Sequence, residues 1–312
     1  PDFPPALSGL ALIAQQEGKV GAALELFKRA LNPEAEGFDP GVIEAFARFV
    51  DQHTDQSVTF IEWLDGYLEL YPDDLRAHVI AGDYFRRNAN ADRALQLWGW
   101  VYSQRPDYPK LAQRLGQLHA QRGNFVQAAE IFDKLQQAEP SADHFYLAAT
   151  ARANIPDLEG AKQLFEHGAR EYPEDPRFPM GIGQVLYEQG DYEAARTRLL
   201  PLTEAPEPRF EVFRELGHVE IKRGFLDLAD EWLAKAEALR PQDPLTHFQR
   251  GYLAARRGDR AAFEAHLQRV LDSGAVTMED LAQFDNHVEL FAIDWAREWL
   301  DRRTLVPPGQ AR

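Results

Sequence analysis

The chain repeats itself with a period of 34 residues. Gly82, Gly116, Ala149, Gly183, Gly217 and Gly251 follow one another at intervals of 34, 33, 34, 34 and 34 residues. Ala94, Ala128, Ala161, Ala195 and Ala229 keep the same beat, and so do Pro72, Pro106, Pro140 and Pro173, with Pro241 two periods further on. A unit of this length cannot bury its own apolar face and must stack on its neighbours, so the period selects a solenoid over a closed core. Such an array grows by adding units, and the 312 residues read as one continuous domain rather than the two that length alone suggests.

The unit 75–108 shows how each repeat is built. Val79, Ile80, Tyr84 and Phe85 fall at helical spacing, 88–90 is a break, and Ala94, Leu97, Trp98 and Val101 share one face of a second helix. That helix must end near Arg105, because Pro106 lacks an amide donor and disfavours helix in the residue before it. Each unit is therefore a helical hairpin, with Gly82 and Ala94 expected where its two helices cross at close range.

These residues resemble the tetratricopeptide repeat family. The likeness is strongest in 109–140, through Leu115, Gly116, Gly123, Phe125, Ala128, Phe132 and Pro140, and in 210–241, through Phe213, Leu216, Gly217, Gly224, Ala229, Leu233, Ala236 and Pro241. The family implies an all-α, right-handed α-solenoid of about seven to eight antiparallel hairpins closed by a C-terminal capping helix. It also implies that the first helices line a groove in which a peptide or partner helix lies.

On this pattern 1–303 is a single solenoid. It comprises a first repeat (1–31), an irregular insert (32–40), a degenerate repeat lacking the small pair (41–74), six repeats (75–274) and capping helices (275–303), followed by a flexible tail (304–312). Asn154, Ile155 and Pro156 stand where a glycine turn belongs, which predicts a kinked or altered turn. Thr277–Asp280 has the spacing of a capping box. Phe291, Trp295 and Trp299 form a stripe that reads first as a lid on the last repeat and second as a docking face for another helix or a second copy.

A net charge of −16 argues against general attraction to nucleic acid or anionic lipid, and the absence of cysteine excludes disulfides and thiolate chemistry. No apolar run reaches the length of a membrane span, so a soluble segment is expected, cytoplasmic or periplasmic. The chain opens on Pro1 with no leader pattern behind it and reads as a trimmed or processed product. No nucleophile, phosphate loop or paired carboxylate stands out. Gly181 and Gly183 belong to the packing beat, and no two histidines stand at i, i+4, so a zinc site would have to be assembled between repeats. The expectation is therefore no enzyme, no cofactor and no metal.

In the repeat register, the groove-facing positions carry Arg76, Arg86, Arg87, Lys110, Arg177, Arg214, Lys222 and Arg256 against Asp83, Asp143, Glu188 and Glu211, a local excess of cations in an acidic chain. Gln113, Gln117, Gln121, Gln184, Tyr146, Tyr187, His218 and Tyr252 are interleaved with them. Guanidinium forks, amides and phenols suit an extended acidic or carboxylate-bearing segment. The carboxylate clamp of the family's chaperone co-factors is not matched, since Asp83, Gln117 and Thr150 stand where its Asn is expected. The chain thus reads as a non-catalytic scaffold for a protein or peptide partner. The alternative is a repeat module of a larger protein, resembling those of cell-envelope or polysaccharide-secretion systems or a repeat-linked transferase.

Overall fold

Among the described residues, sixteen helices pair in sequence order into eight hairpins. The computed structural model describes residues 3–108, 110–207, 209–274, 290 and 292–304, and the chain divides into two compact units, 1–139 and 140–312. The first holds α1 (Pro4–Gln16) with α2 (Val20–Ala30), α3 (Gly41–Gln52) with α4 (Ser57–Leu70), α5 (Leu75–Arg87) with α6 (Ala91–Gln104), and α7 (Leu111–Gln121) with α8 (Phe125–Ala138). The second holds α9 (Ala142–Ala153) with α10 (Leu158–Glu171), α11 (Arg177–Glu188) with α12 (Tyr192–Leu199), α13 (Phe210–Arg223) with α14 (Leu226–Leu239), α15 (Pro244–Arg257) with α16 (Arg260–Asp272), and α17 (Asp294–Thr304). No strand occurs among the described residues.

The period has a direct steric meaning. A Cβ added at Gly116 would lie 2.5 Å from Phe132 Cε1, one at Gly183 would lie 2.7 Å from Leu199 Cγ, and one at Gly217 would lie 2.5 Å from Leu233 Cγ. In each of these hairpins the small residue admits the bulky side chain sixteen positions later, so the helices cross with that side chain inserted between their backbones. Gly181 does the same for Phe165 across the α10–α11 contact, 2.5 Å from Cε1, which confirms it as a packing glycine.

The hairpin turns share one hydrogen bond, from the residue that opens the second helix to a carbonyl five residues earlier. Asn90 donates to Phe85 O, Asn124 to His119 O, Asp191 to Leu186 O, Phe225 to Glu220 O and Asp259 to Ala254 O, all at 2.8–2.9 Å. This is the C-terminal motif in which a left-handed residue, such as Gly123 at φ +76°, closes the helix. The altered turn expected at 154–156 is present, with Pro156 at φ +29° in the place of the left-handed glycine, but the bonding pattern of the other turns survives. Asp157 donates the same bond to Arg152 O at 3.1 Å, and its carboxylate caps α10 through the Gly160 amide. The extra Asn154 Nδ2 bond to Thr150 O, 2.8 Å, supports the turn without glycine.

The hairpin α3–α4 is the irregular one. Phe60 fills the small-residue position, fully buried, and a single turn of 3₁₀ helix (Thr54–Gln56) joins the two helices. Phe27, Phe46, Phe49 and Phe60 fill the wider gap with ring centroids 5.2–5.9 Å apart. At the other end, Trp295 and Trp299 meet the Phe263 ring edge-on at 5.1 and 5.4 Å, so α17 covers the last hairpin as the lid reading requires. The capping box at 277–280, Phe291 and the tail 305–312 lie outside the described residues.

Candidate functional site

Within the second unit the first helices α9, α11, α13 and α15 form a row in which each touches the next, while the second helices stand further apart. Their shared face carries a cleft of about 490 Å³. Thr150, Gln184 and His218, each the residue after the repeated small position, project into it from three successive helices. Tyr146, Tyr187, Glu188 and Glu215 complete the polar wall over an apolar floor that includes Phe165, Gly181 and Val185. The Tyr187 hydroxyl and His218 Nε2 are 2.7 Å apart and their rings lie 4.4 Å apart, which locks a phenol and an imidazole into one surface. Four sequence-predicted residues, Tyr146, Gln184, Tyr187 and His218, are thus brought together.

The predicted cations fare differently, because carboxylates reach them, both from the chosen positions, as with Asp143, and from outside them, as with Asp175. Arg177 bonds Asp143 at 2.8 Å and Asp175 at 2.6 Å, with its guanidinium 5.1 Å from the Tyr146 ring centre. That pairing raises the Arg177 pKa and holds the Asp175 carboxyl below the usual range. Arg214 meets Glu215 at 3.0 Å and Asp243 at 3.5 Å. Tyr252 is 0% exposed, beneath Lys222 at 5.8 Å from its ring and Arg256, which donates to its hydroxyl at 3.1 Å. It belongs to the core rather than to an open face.

In the first unit Arg76 pairs with Asp39 at 2.6 Å and Arg87 with Asp51 at 2.8 Å. Asp83 is gripped by both its oxygens from Arg114 at 2.7 and 2.8 Å, a cation the sequence reading did not place on this face. Arg86 and Lys110 are exposed, but one ends α5 and the other precedes α7, at opposite ends of the helix row. Gln113, Gln117 and Gln121 run along α7. Thus, among the described residues of either unit by itself, no continuous basic strip forms, and a ligand carboxylate would have to displace an existing one at Arg177 or Arg214. Sequence reasoning also missed Glu215 as a cleft residue, and it missed a cluster of Glu237, His247 and His266.

Within each unit, successive helical hairpins with a recurrent small-to-large crossing define a helical-repeat solenoid, the architecture of protein-interaction scaffolds. Two family models, both described as tetratricopeptide repeat, match residues 80–143 and 157–213, and the chain is a tetratricopeptide repeat protein. It is similar to the Protein CTR9 homolog of Arabidopsis thaliana, 25% identical over 289 residues, which cover 85% of this chain and 25% of that one. The chain therefore spans a quarter of the length of this curated relative.

Among solved structures, the fold is similar to that of an APC/C hetero-tetramer, Cut9-Hcn1, with a TM-score of 0.52 and 13% identity, covering 91% of this chain and 52% of that one. A tetratricopeptide repeat protein from Parabacteroides merdae matches with a TM-score of 0.49 and 14% identity, covering 87% of this chain and 100% of that one. No helix among the described residues is long and apolar enough to cross a membrane.

Proposed function

We propose that the chain is a non-catalytic scaffold that binds an extended segment of a protein partner on the first-helix face of its second unit. The observation that carries this reading is the cleft into which three helices direct Thr150, Gln184 and His218 beside Tyr146 and Tyr187. Hydroxyl, amide and imidazole groups can pair with a peptide backbone, while the aromatic rings and the apolar floor supply area at low entropic cost. The charged groups lining the cleft are the carboxylates Glu188 and Glu215, the latter held by Arg214 at 3.0 Å, so the segment that fits is neutral rather than the acidic one expected from a count of cations.

The test is to select binding peptides from a displayed random library and to titrate the best of them calorimetrically into wild type, Thr150→Arg and Gln184→Arg. Both substitutions fill the cleft from partly exposed positions. Affinity should fall by at least about tenfold, or 1.4 kcal/mol, with an unchanged helical spectrum. Selected peptides that bind both variants as tightly as wild type would sink the proposal.

A further inference from the structure

In the hairpin α15–α16, two imidazoles stand where the preceding hairpin has a stacked pair of large aromatic side chains. Phe213 and Trp232 stack across α13–α14 with centroids 5.9 Å apart and planes 14° from parallel. One period later the same two positions are His247 and His266, 5.4 Å apart and 29° from parallel. The corresponding pairs in the earlier repeats, His78 with Leu97, Ala112 with Ile131, Phe145 with Leu164 and Pro179 with Arg198, contain no second histidine couple. Glu237, from the last turn of α14, is the third member of the group.

We propose that Glu237, His247 and His266 form a binding site for a single divalent transition-metal ion of the zinc class. Their donor atoms lie within 4.8 Å of one another. His247 Nδ1 stands 3.2 Å from His266 Nδ1 and 3.8 Å from Glu237 Oε1. Ligands bonded to zinc at about 2.0–2.1 Å with tetrahedral angles are about 3.3 Å apart, so the two nitrogens already have the required separation and the carboxylate needs only a small turn. Two imidazoles and one carboxylate, with a fourth position left open, form a donor set suited to zinc or cobalt(II).

The tautomer of His247 is fixed in the ligating sense. Its Nε2 is 2.8 Å from the Pro241 carbonyl, which can only accept, so Nε2 carries the hydrogen and Nδ1 turns its lone pair toward His266. In the metal-free network a hydrogen on His266 Nδ1 fills that 3.2 Å gap, and a bound ion replaces this proton. His247 is 3% exposed, so the pair of imidazoles is held in place by the surrounding hairpin.

Two arginines face the cluster and set the terms of binding. Arg250 Nε holds Glu237 Oε2 at 3.1 Å, which leaves Oε1 for the ion and orients the carboxylate from behind. The same guanidinium is 3.4 Å from Asp230, and it gives up its long 3.4 Å contact to His266 Nε2, which becomes protonated when Nδ1 is the ligand. Arg269 lies 3.5 Å from Oε1 on a largely exposed side chain that can swing into water.

The experiment titrates chelator-stripped protein with cobalt(II) chloride and follows visible absorption, then displaces the cobalt with zinc chloride. Thermal melts are recorded with and without zinc. One equivalent of cobalt should give the intense bands of a four-coordinate ion, zinc should abolish them, and zinc should raise the melting temperature. The paired substitution His247→Phe with His266→Trp restores the side chains of the preceding hairpin and should keep the fold while eliminating the bands. Glu237→Gln should weaken cobalt binding by more than about tenfold. Absence of bands at millimolar cobalt, or zinc binding undiminished in the folded paired variant, overturns the proposal. If the paired variant does not fold, Glu237→Gln decides, and unchanged cobalt affinity there overturns it equally.

Discussion

Phe132 occupies the space that a side chain on Gly116 would need, since a Cβ built at Gly116 would lie 2.5 Å from Phe132 Cε1. The ring is 1% exposed, so it has no open volume into which to retreat. Gly116→Leu should therefore overpack the α7–α8 crossing and destabilise the first unit by about 1–3 kcal/mol, and Ala128→Leu, at a fully buried position in the same hairpin, should do likewise. Thermal melts followed by circular dichroism measure this, and an unaltered midpoint in both variants would show that the repeat register has been misplaced.

The architecture was legible because one steric requirement recurs at every crossing, and a recurring requirement leaves a periodic trace. Gly183 and Gly217 could be recognised as packing residues without coordinates for that reason. The pairing of charges left a weaker trace. Arg76 and Asp39 are 37 residues apart, Arg177 and Asp143 are 34 apart, and Arg114 and Asp83 are 31 apart, so each pair joins elements about one period apart. Opposite charges separated by roughly one repeat were the signal available, but counting cations by groove position alone discarded it. The histidine cluster was hidden differently. His247 and His266 are 19 residues apart on two antiparallel helices, and a search for ligand pairs at i, i+4 cannot find donors that meet across a hairpin.

His119 on α7 provides a pH test. Burial lowers its pKa below the ordinary value of 6.5, and among the described residues its Nδ1 has no hydrogen-bond partner. The unfolded chain therefore binds a proton at higher pH than the folded one. The stability associated with a neutral His119 is fully present above about pH 7 and is lost as pH falls through 6.5 toward the lower folded value. Melting temperatures of wild type and His119→Gln should keep a constant difference above about pH 7, and wild type should lose stability relative to the variant between about pH 6.5 and 5. A difference that does not change with pH would show that the imidazole is hydrated in the folded state.

Trp299 decides between the two readings of the terminal stripe. Its side chain is 4% exposed and packs edge-on against Phe263, which is itself fully buried and stands where the other repeats carry a residue at the start of their second helix's core face. An indole turned inward in this way closes the apolar end of the last hairpin and leaves little area to offer another molecule. Trp299→Ala should therefore destabilise the second unit by about 3–5 kcal/mol, the range for truncating a buried aromatic, whereas Trp295→Ala, at a partly buried position, should cost less. Light scattering on wild type and the doubly substituted chain should return the same mass at high concentration if the stripe is a lid. A larger mass for wild type, lost on substitution, would instead assign the two indoles to contact between copies.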